Sequence, residues 1–180
     1  MPGPMKVYRM TREHYERYGG RETLRWTLRH LSGDAYKKRW LKSLLPSPEE
    51  LKRQRETVWP EKLLFSIAVP LYNTDPGMLR EMMASVAEQS YPHWELCLAD
   101  GSDEAHGEVE RICREWAEKE PRIRYTKLKE NGGISRNTNE ALAMAAGEYI
   151  GLLDHDDRLH PSALFEVRNV IGEKGADLIY

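Results

Sequence analysis

At 180 residues, 40% hydrophobic and 31% charged, the chain is long enough to bury one good core with an appendage. Its start, Met1-Pro-Gly-Pro-Met-Lys-Val-Tyr8, has no apolar signal core, and nowhere do about 18 uncharged apolar residues run together, so neither a secretory leader nor a membrane-spanning helix is expected. The net charge of −2 conceals an asymmetry: residues 1–60 hold 14 Lys and Arg against 7 Asp and Glu, a net of +7, and residues 61–180 hold 13 against 22, a net of −9.

The basic piece reads as helical and polar. Thr11 to Leu31 mixes aromatic and leucine residues with charges, and Asp34 caps a second run containing Tyr36, Trp40, Leu41, Leu44 and Leu45. Pro46-Ser-Pro48 breaks that run, and Pro48-Glu-Glu-Leu-Lys-Arg-Gln-Arg55 restarts a short helix with acids in its first turn. Residues 1–62 therefore form a basic helical N-terminal extension. Its surface can pack on the acidic piece, approach anionic lipid at the inner face of a membrane, or remain solvated; no aromatic-interleaved basic pattern points to nucleic acid.

From Leu63 a regular alternation sets in. Leu63 to Val69 reads as a strand stopped by Pro70, and Asp75-Pro76 supplies an N-cap with proline at the first helical position. Leu79, Met82, Met83 and Val86 recur at helical spacing until Tyr91-Pro92. Trp94–Ala99 is a second strand, a helix surrounds Val109, Ile112, Cys113 and Trp116, and Ile123–Thr126 is a third strand. Ser135–Ala146 is helical, Tyr149–Leu153 is a fourth strand, Pro161–Ile171 is helical, and Asp177–Tyr180 begins another strand. Strands and helices alternating in this way imply an α/β fold over 63–180, a parallel sheet covered on both faces. Cys97 and Cys113 sit inside apolar patterns without metal-ligand spacing and read as buried free thiols of a reducing, cytoplasmic compartment.

Ligands of such sheets bind beyond the carboxyl ends of the strands. Those ends carry Pro70-Leu-Tyr-Asn-Thr-Asp75, Asp100-Gly-Ser-Asp103, Glu130-Asn-Gly-Gly-Ile-Ser-Arg-Asn-Thr-Asn139 and Asp154-His-Asp-Asp157, so every chemically distinctive cluster falls on one edge. Taken singly, Asp75 is a helix cap, and Asn131-Gly-Gly133 and Asp100-Gly101 are turn chemistry. The helix at Pro161 needs one cap, not three acids. Adjacent carboxylates repel unless a cation lies among them, and a magnesium or manganese ion shared with a diphosphate suits one or two protein carboxylates. On an extended segment His155 points away from its neighbours and is not itself a metal ligand.

The ordered set Phe65-Ser-Ile-Ala-Val-Pro-Leu-Tyr-Asn73, Ser90-Tyr-Pro-His-Trp-Glu-Leu96, Ala99-Asp-Gly-Ser-Asp103, Asn131-Gly-Gly-Ile-Ser-Arg-Asn137, Ala146-Gly-Glu-Tyr-Ile150 and Asp154-His-Asp-Asp157 resembles family-two inverting glycosyltransferases. The resemblance is greatest to the bacterial group that builds rhamnose-containing and O-antigen polysaccharides. It implies a type A glycosyltransferase fold, a Rossmann-like sheet reaching about five strands here. It also implies that Pro70, Tyr72 and Asn73 wrap the nucleotide of a UDP- or dTDP-sugar and that Asp100 accepts the ring N–H of the base. Asn131, Gly132, Gly133, Arg136 and Asn137 would lie against nucleotide and diphosphate, with Arg136 the cation for phosphate charge. Asp154 and Asp156 would hold Mn2+ or Mg2+, with His155 beside them in the donor site. Ala99 stands where the family often has another aspartate.

Acceptor-binding elements and the base that deprotonates a saccharide or lipid-linked acceptor are expected beyond Tyr180, so no catalytic residue is assigned within the chain, which is expected to bind donor without transferring sugar. Two alternatives remain: an inactive nucleotide-binding or scaffold module, and a sugar nucleotidyltransferase. The latter would want a glycine-rich basic loop after the first strand, where Pro70-Leu-Tyr-Asn-Thr-Asp-Pro76 has neither.

Overall fold

The structure is a computed structural model that describes residues 45–179 together with Tyr15 and Gly19. The helices expected around Thr11–Leu31 and after Asp34 otherwise lie outside the described residues. The chain divides into two compact units, Met1–Leu45 and Pro46–Tyr180.

The second unit holds helix α1 (Pro48–Arg55), strand β1 (Phe65–Leu71), α2 (Pro76–Ala87), β2 (Trp94–Asp100), α3 (Gly107–Lys119), β3 (Ile123–Lys127), α4 (Gly133–Ala143), β4 (Tyr149–Leu152) and α5 (Ala163–Lys174). A short 3-10 turn, Glu104–His106, precedes α3. The four strands form one parallel sheet in the order β3-β2-β1-β4. Asp177–Ile179, expected to begin a further strand, pairs with none of them. That segment leaves α5 through Gly175 in the left-handed conformation (φ 59°), and one side-chain bond, from the Tyr149 hydroxyl to the Ala176 carbonyl at 3.2 Å, ties it to β4.

Alternation along the two central strands separates two layers. Phe65, Ile67, Val69 and Leu71 of β1 and Trp94, Leu96 and Leu98 of β2 join Leu79, Met82, Met83 and Val86 of α2, Val109 and Ile112 of α3, and Leu164 and Ile171 of α5 in the main core. The opposite face presents Ala68 and Ala99, small enough for Ala141 of α4 to approach. Side chains cap two of the five described helices, α1 and α2. The Asp75 carboxylate accepts from the N–H groups of Gly77 (2.8 Å) and Met78 (3.0 Å), and Ser47 Oγ accepts from Glu50 N–H (3.1 Å).

Residues 46–62, grouped by charge with the N-terminal extension, pack on the sheet unit. The Ser90 hydroxyl donates to buried Gln54 Oε1 at 2.6 Å. Trp59 stands edge-on to Tyr91 and Phe165, with ring centroids 5.6 and 5.3 Å away. The Arg168 guanidinium lies 5.0 Å from the Trp59 ring centroid.

A buried polar staple locks the end of the sheet opposite the candidate site. Glu95 Oε1 accepts from the Ser66 hydroxyl and the Ala146 N–H, both at 2.6 Å, Oε2 accepts from Arg124 at 3.3 Å, and Ser66 Oγ accepts from Gly147 N–H at 2.8 Å. Burial raises the Glu95 pKa, but the bonds from Ser66, Ala146 and Arg124 prevail and hold it below the usual glutamate value. A carboxyl with a depressed folded pKa stabilises above its unfolded pKa and ceases to do so as pH falls through the folded one. Glu95→Ala is expected to cost about 2 kcal/mol at neutral pH, because it leaves the buried Ser66 hydroxyl and the Ala146 N–H without their acceptor. Urea denaturation at pH 7 measures this, and the gap from wild type should narrow in acid.

Candidate functional site

The carboxyl ends of the strands open into three cavities, of which two meet at Tyr72 and Asn131. The larger, about 590 Å3, is lined by Tyr72, Ser102, Asp103, Glu110, Lys127 and Asn131 among others. The smaller, about 330 Å3, lies toward β4 and is lined by Pro70, Tyr72, Asn131, Gly133, Asn137, Asp154, His155 and Asp156. Eight of the residues singled out from the sequence thus meet in one cavity.

The remaining four lie elsewhere. Asp100 is fully buried, and its carboxylate sits beneath the larger cavity rather than in its lining. Oδ1 accepts from Ser102 N–H at 2.8 Å, and Oδ2 accepts from the Tyr125 hydroxyl at 2.9 Å and the Lys127 ammonium at 3.0 Å. Three protein donors thus engage this carboxylate, whose two oxygens offer about four acceptor sites. Its partners Ser102 and Lys127 face the cavity in its stead. Burial, and then the bond to Asp100, push the Tyr125 hydroxyl well above the usual tyrosine range, so it remains a donor at neutral pH. Lys127 also donates to the Ser102 carbonyl at 2.7 Å, which engages two of its three N–H bonds and leaves the third for the cavity.

Arg136 is exposed on α4 and pairs at 2.9 Å with Glu130 of the larger cavity's wall; both line the third cavity, about 500 Å3, together with Lys127 and Asn137. Gly132 belongs to the turn before α4, where its N–H donates to Asn137 Oδ1 at 3.1 Å. Asn73 bonds to the β2 loop: its N–H donates to Ser102 Oγ at 2.8 Å, and its side chain pairs with Asp103.

Asn137, though it lines the smaller cavity, is almost fully buried and braces the glycine turn. Its Oδ1 takes the Gly132 N–H, and its Nδ2 donates to Asn131 Oδ1 at 3.0 Å. Asn131 Oδ1 in turn accepts from Gly133 N–H at 2.9 Å. Gly133 has φ 78°, a conformation that a side chain would strain, so glycine is required where the first turn of α4 meets the cavity. A cradle of this kind, a glycine turn opening a helix N-terminus, favours anions.

Asp154, His155 and Asp156 occupy a turn closed by Asp157 N–H on the Asp154 carbonyl at 3.2 Å. The turn, rather than an extended run, brings His155 to the same cavity as its two neighbours instead of away from them. His155 Nδ1 is buried without a hydrogen-bond partner. Both aspartates are exposed, and among the described residues no side chain or backbone donor pairs with either carboxylate. No group of three or more His, Cys, Asp or Glu stands together as a complete metal cage among the described residues. Two free carboxylates at the mouth of an anion-favouring cavity fit a hard divalent ion that takes its other ligands from phosphate and water.

Residues 66–180 match Glycosyl transferase family 2 across most of the chain. The chain belongs to that family. This glycosyltransferase domain has the type A architecture and is similar to Staphylococcus aureus TarS: 28% identity and TM-score 0.58 to the 1–349 portion solved in complex with UDP-GlcNAc, covering 64% of this chain and 33% of that one. Among curated relatives, the Sinorhizobium fredii protein y4gI is 48% identical over 118 residues, 65% of this chain and 13% of its own length. The O-antigen biosynthesis protein RfbC of Myxococcus xanthus is 40% identical over 104 residues, 58% of this chain and 8% of its own length. The glycosyltransferase domain seen here thus spans about a tenth of the length of these two relatives.

Sequence reasoning missed Tyr125 and Lys127, and it placed Ser102 and Asp103 in the cluster after the second strand without giving either a role. A signal for the first two exists: they alternate on β3, and β3 pairs with β2 so that Lys127 falls beside Asp100. The thiols conform to expectation, since both cysteines are free and buried, and burial pushes Cys97 up to about 11 and Cys113 to about 12. No helix of the described residues is long and apolar enough to cross a membrane.

Proposed function

We propose that residues 63–180 bind the nucleoside-diphosphate sugar of a glycosyl transfer, a UDP- or dTDP-sugar, for delivery with inversion to a saccharide acceptor in cell-surface polysaccharide synthesis. The observation that carries this is the pair of cavities divided by Tyr72, one able to take a planar base and the other an anion beside two unpaired carboxylates. The similarity to TarS, solved with UDP-GlcNAc, and to a relative named for O-antigen biosynthesis supports the substrate class.

In the larger cavity the exposed ring of Tyr72 offers a stacking face. The third N–H of Lys127 donates to the 4-oxo group of uracil or thymine or the 6-oxo group of guanine, a place that cytosine and adenine fill with an amino donor. Asp100 acts here through Lys127 and Ser102, by fixing their direction. In the smaller cavity the N-terminus of α4 and the Gly133 turn receive the diphosphate. Asp154 and Asp156 would hold Mn2+ or Mg2+ there, which when bound supplies charge neutralisation for the departing nucleoside diphosphate. His155 closes the side of this cavity. Arg136 reaches the phosphates only by leaving Glu130.

Donor binding, rather than sugar transfer, is the activity assigned to these residues. The acceptor base, a lipid-linked acceptor and docking of the basic N-terminal extension, residues 1–62, at the inner face of a membrane belong to the whole protein and are part of the same proposal. A nucleotidyltransferase is disfavoured by the Pro70–Pro76 segment, which wraps Tyr72 without a glycine-rich basic loop. The test is base preference: UDP, dTDP and GDP should bind this chain at least tenfold more tightly than CDP and ADP. Equal affinity for all five would remove Lys127 from base selection.

A further inference from the structure

Asn73 is the non-glycine residue with a positive φ (49°) among those described. Asparagine tolerates the left-handed conformation better than most residues, but such a position persists only where its surroundings hold it. The hold is visible. Asn73 Nδ2 donates to Asp103 Oδ2 at 3.0 Å, and Asn73 Oδ1 accepts from the Asp103 N–H at 3.1 Å, a two-point pairing. The other oxygen of Asp103 meets His106 Nδ1 at 2.6 Å, so both of its oxygens are taken. The bond to His106, and then that to Asn73, keep the Asp103 carboxyl below the usual aspartate range.

The sheet does not need this pairing. Strands β1 and β2 are already joined up to Leu71 and Asp100, and Gly101 N–H donates to the Leu71 carbonyl at 3.0 Å. The pairing lies past the strand ends, with the Asp103 side chain half exposed, where such contacts add little to stability. What it does join are the two loops that wall the larger cavity: Tyr72 precedes Asn73 on one side, and Ser102 and Asp103 form the other.

We propose that Asn73, Asp103 and His106 form a clasp that positions Tyr72 against the β2 loop and so sets affinity for the nucleoside half of the donor. Asn73 is on this account a positioning residue, not a ligand contact. The inference rests on the nucleotide-site reading above, and the experiment separates the two.

The amide of Asn73 supplies one donor and one acceptor. Asn73→Asp would set a carboxylate against that of Asp103. The exchange Asn73→Asp with Asp103→Asn restores the pairing with donor and acceptor interchanged, and still leaves an oxygen for His106. UDP affinity of the full 180-residue chain should fall about tenfold in Asn73→Asp and return to within about threefold of wild type in the double variant, with the melting midpoint of each recorded. Asn73→Gly, which accepts the backbone conformation but lacks the amide, should lose about threefold while folding normally. Unchanged affinity in Asn73→Asp and Asn73→Gly would overturn the clasp, as would a double variant no better than the single one. Wild-type chain that is folded yet binds no UDP would overturn the nucleotide reading itself, and the clasp with it.

Discussion

Asp100→Ala is expected to destabilise the domain by about 3 kcal/mol and to weaken nucleotide binding by well over tenfold. The stability loss follows from burial: Asp100 is fully enclosed, and its removal leaves the Tyr125 hydroxyl without an acceptor and the partly buried Lys127 ammonium without its counter-charge. Breaking such a pair by one member costs more than removing both, because the stranded charge stays in place. The double variant Asp100→Asn with Lys127→Met should therefore be more stable than Asp100→Ala, although it has lost both charges of the pair. The binding loss has a separate origin, since Asp100 directs both Ser102 and Lys127 into the cavity. Chemical denaturation and UDP titration of the same three proteins separate the effects. A double variant with recovered stability and poor UDP affinity is the expected pattern. Recovery of both would place Lys127 outside the site.

Asp156→Ala is expected to remove the manganese-dependent part of UDP affinity, roughly 30-fold or about 2 kcal/mol, while leaving the melting midpoint within experimental scatter. The contrast with Asp100 is one of environment. Asp156 is exposed on a turn, with no partner among the described residues, so its loss strands nothing. Asp154→Ala should behave similarly, because both carboxylates line the same cavity. If affinity with manganese is unchanged in both variants, the acids are a solvated turn ahead of α5 and no more.

The fold was legible because local signals agree with global ones. Asp75-Pro76 caps α2 as its chemistry requires, and the alternation of Phe65, Ile67 and Val69 matches their shared face of the sheet. The two sides of the site differ in this respect. Asp154, Asp156, Gly133 and Asn131 announce themselves by acid clustering or by glycine chemistry within a few residues, and the structure gathers them in one cavity. The base side depends on pairings between elements. Lys127 reads as an ordinary polar strand end until β3 is laid against β2 in register, and only then does its partner, 27 residues away, become apparent. Asp103 reads as a loop acid until β1 brings Asn73 to it, 30 residues removed in sequence. Arg136 stands between the two cases: its place in the motif is legible, but its pairing with Glu130, a residue of the larger cavity's wall, shows only in the fold.

The most direct measurement is calorimetric titration of this chain with UDP, first with manganese and then with chelator. The account predicts binding that is strong with manganese and weaker by at least tenfold with chelator, since Asp154 and Asp156 reach a diphosphate only through a shared cation. Equal binding under both conditions, or none from a folded chain, would contradict it.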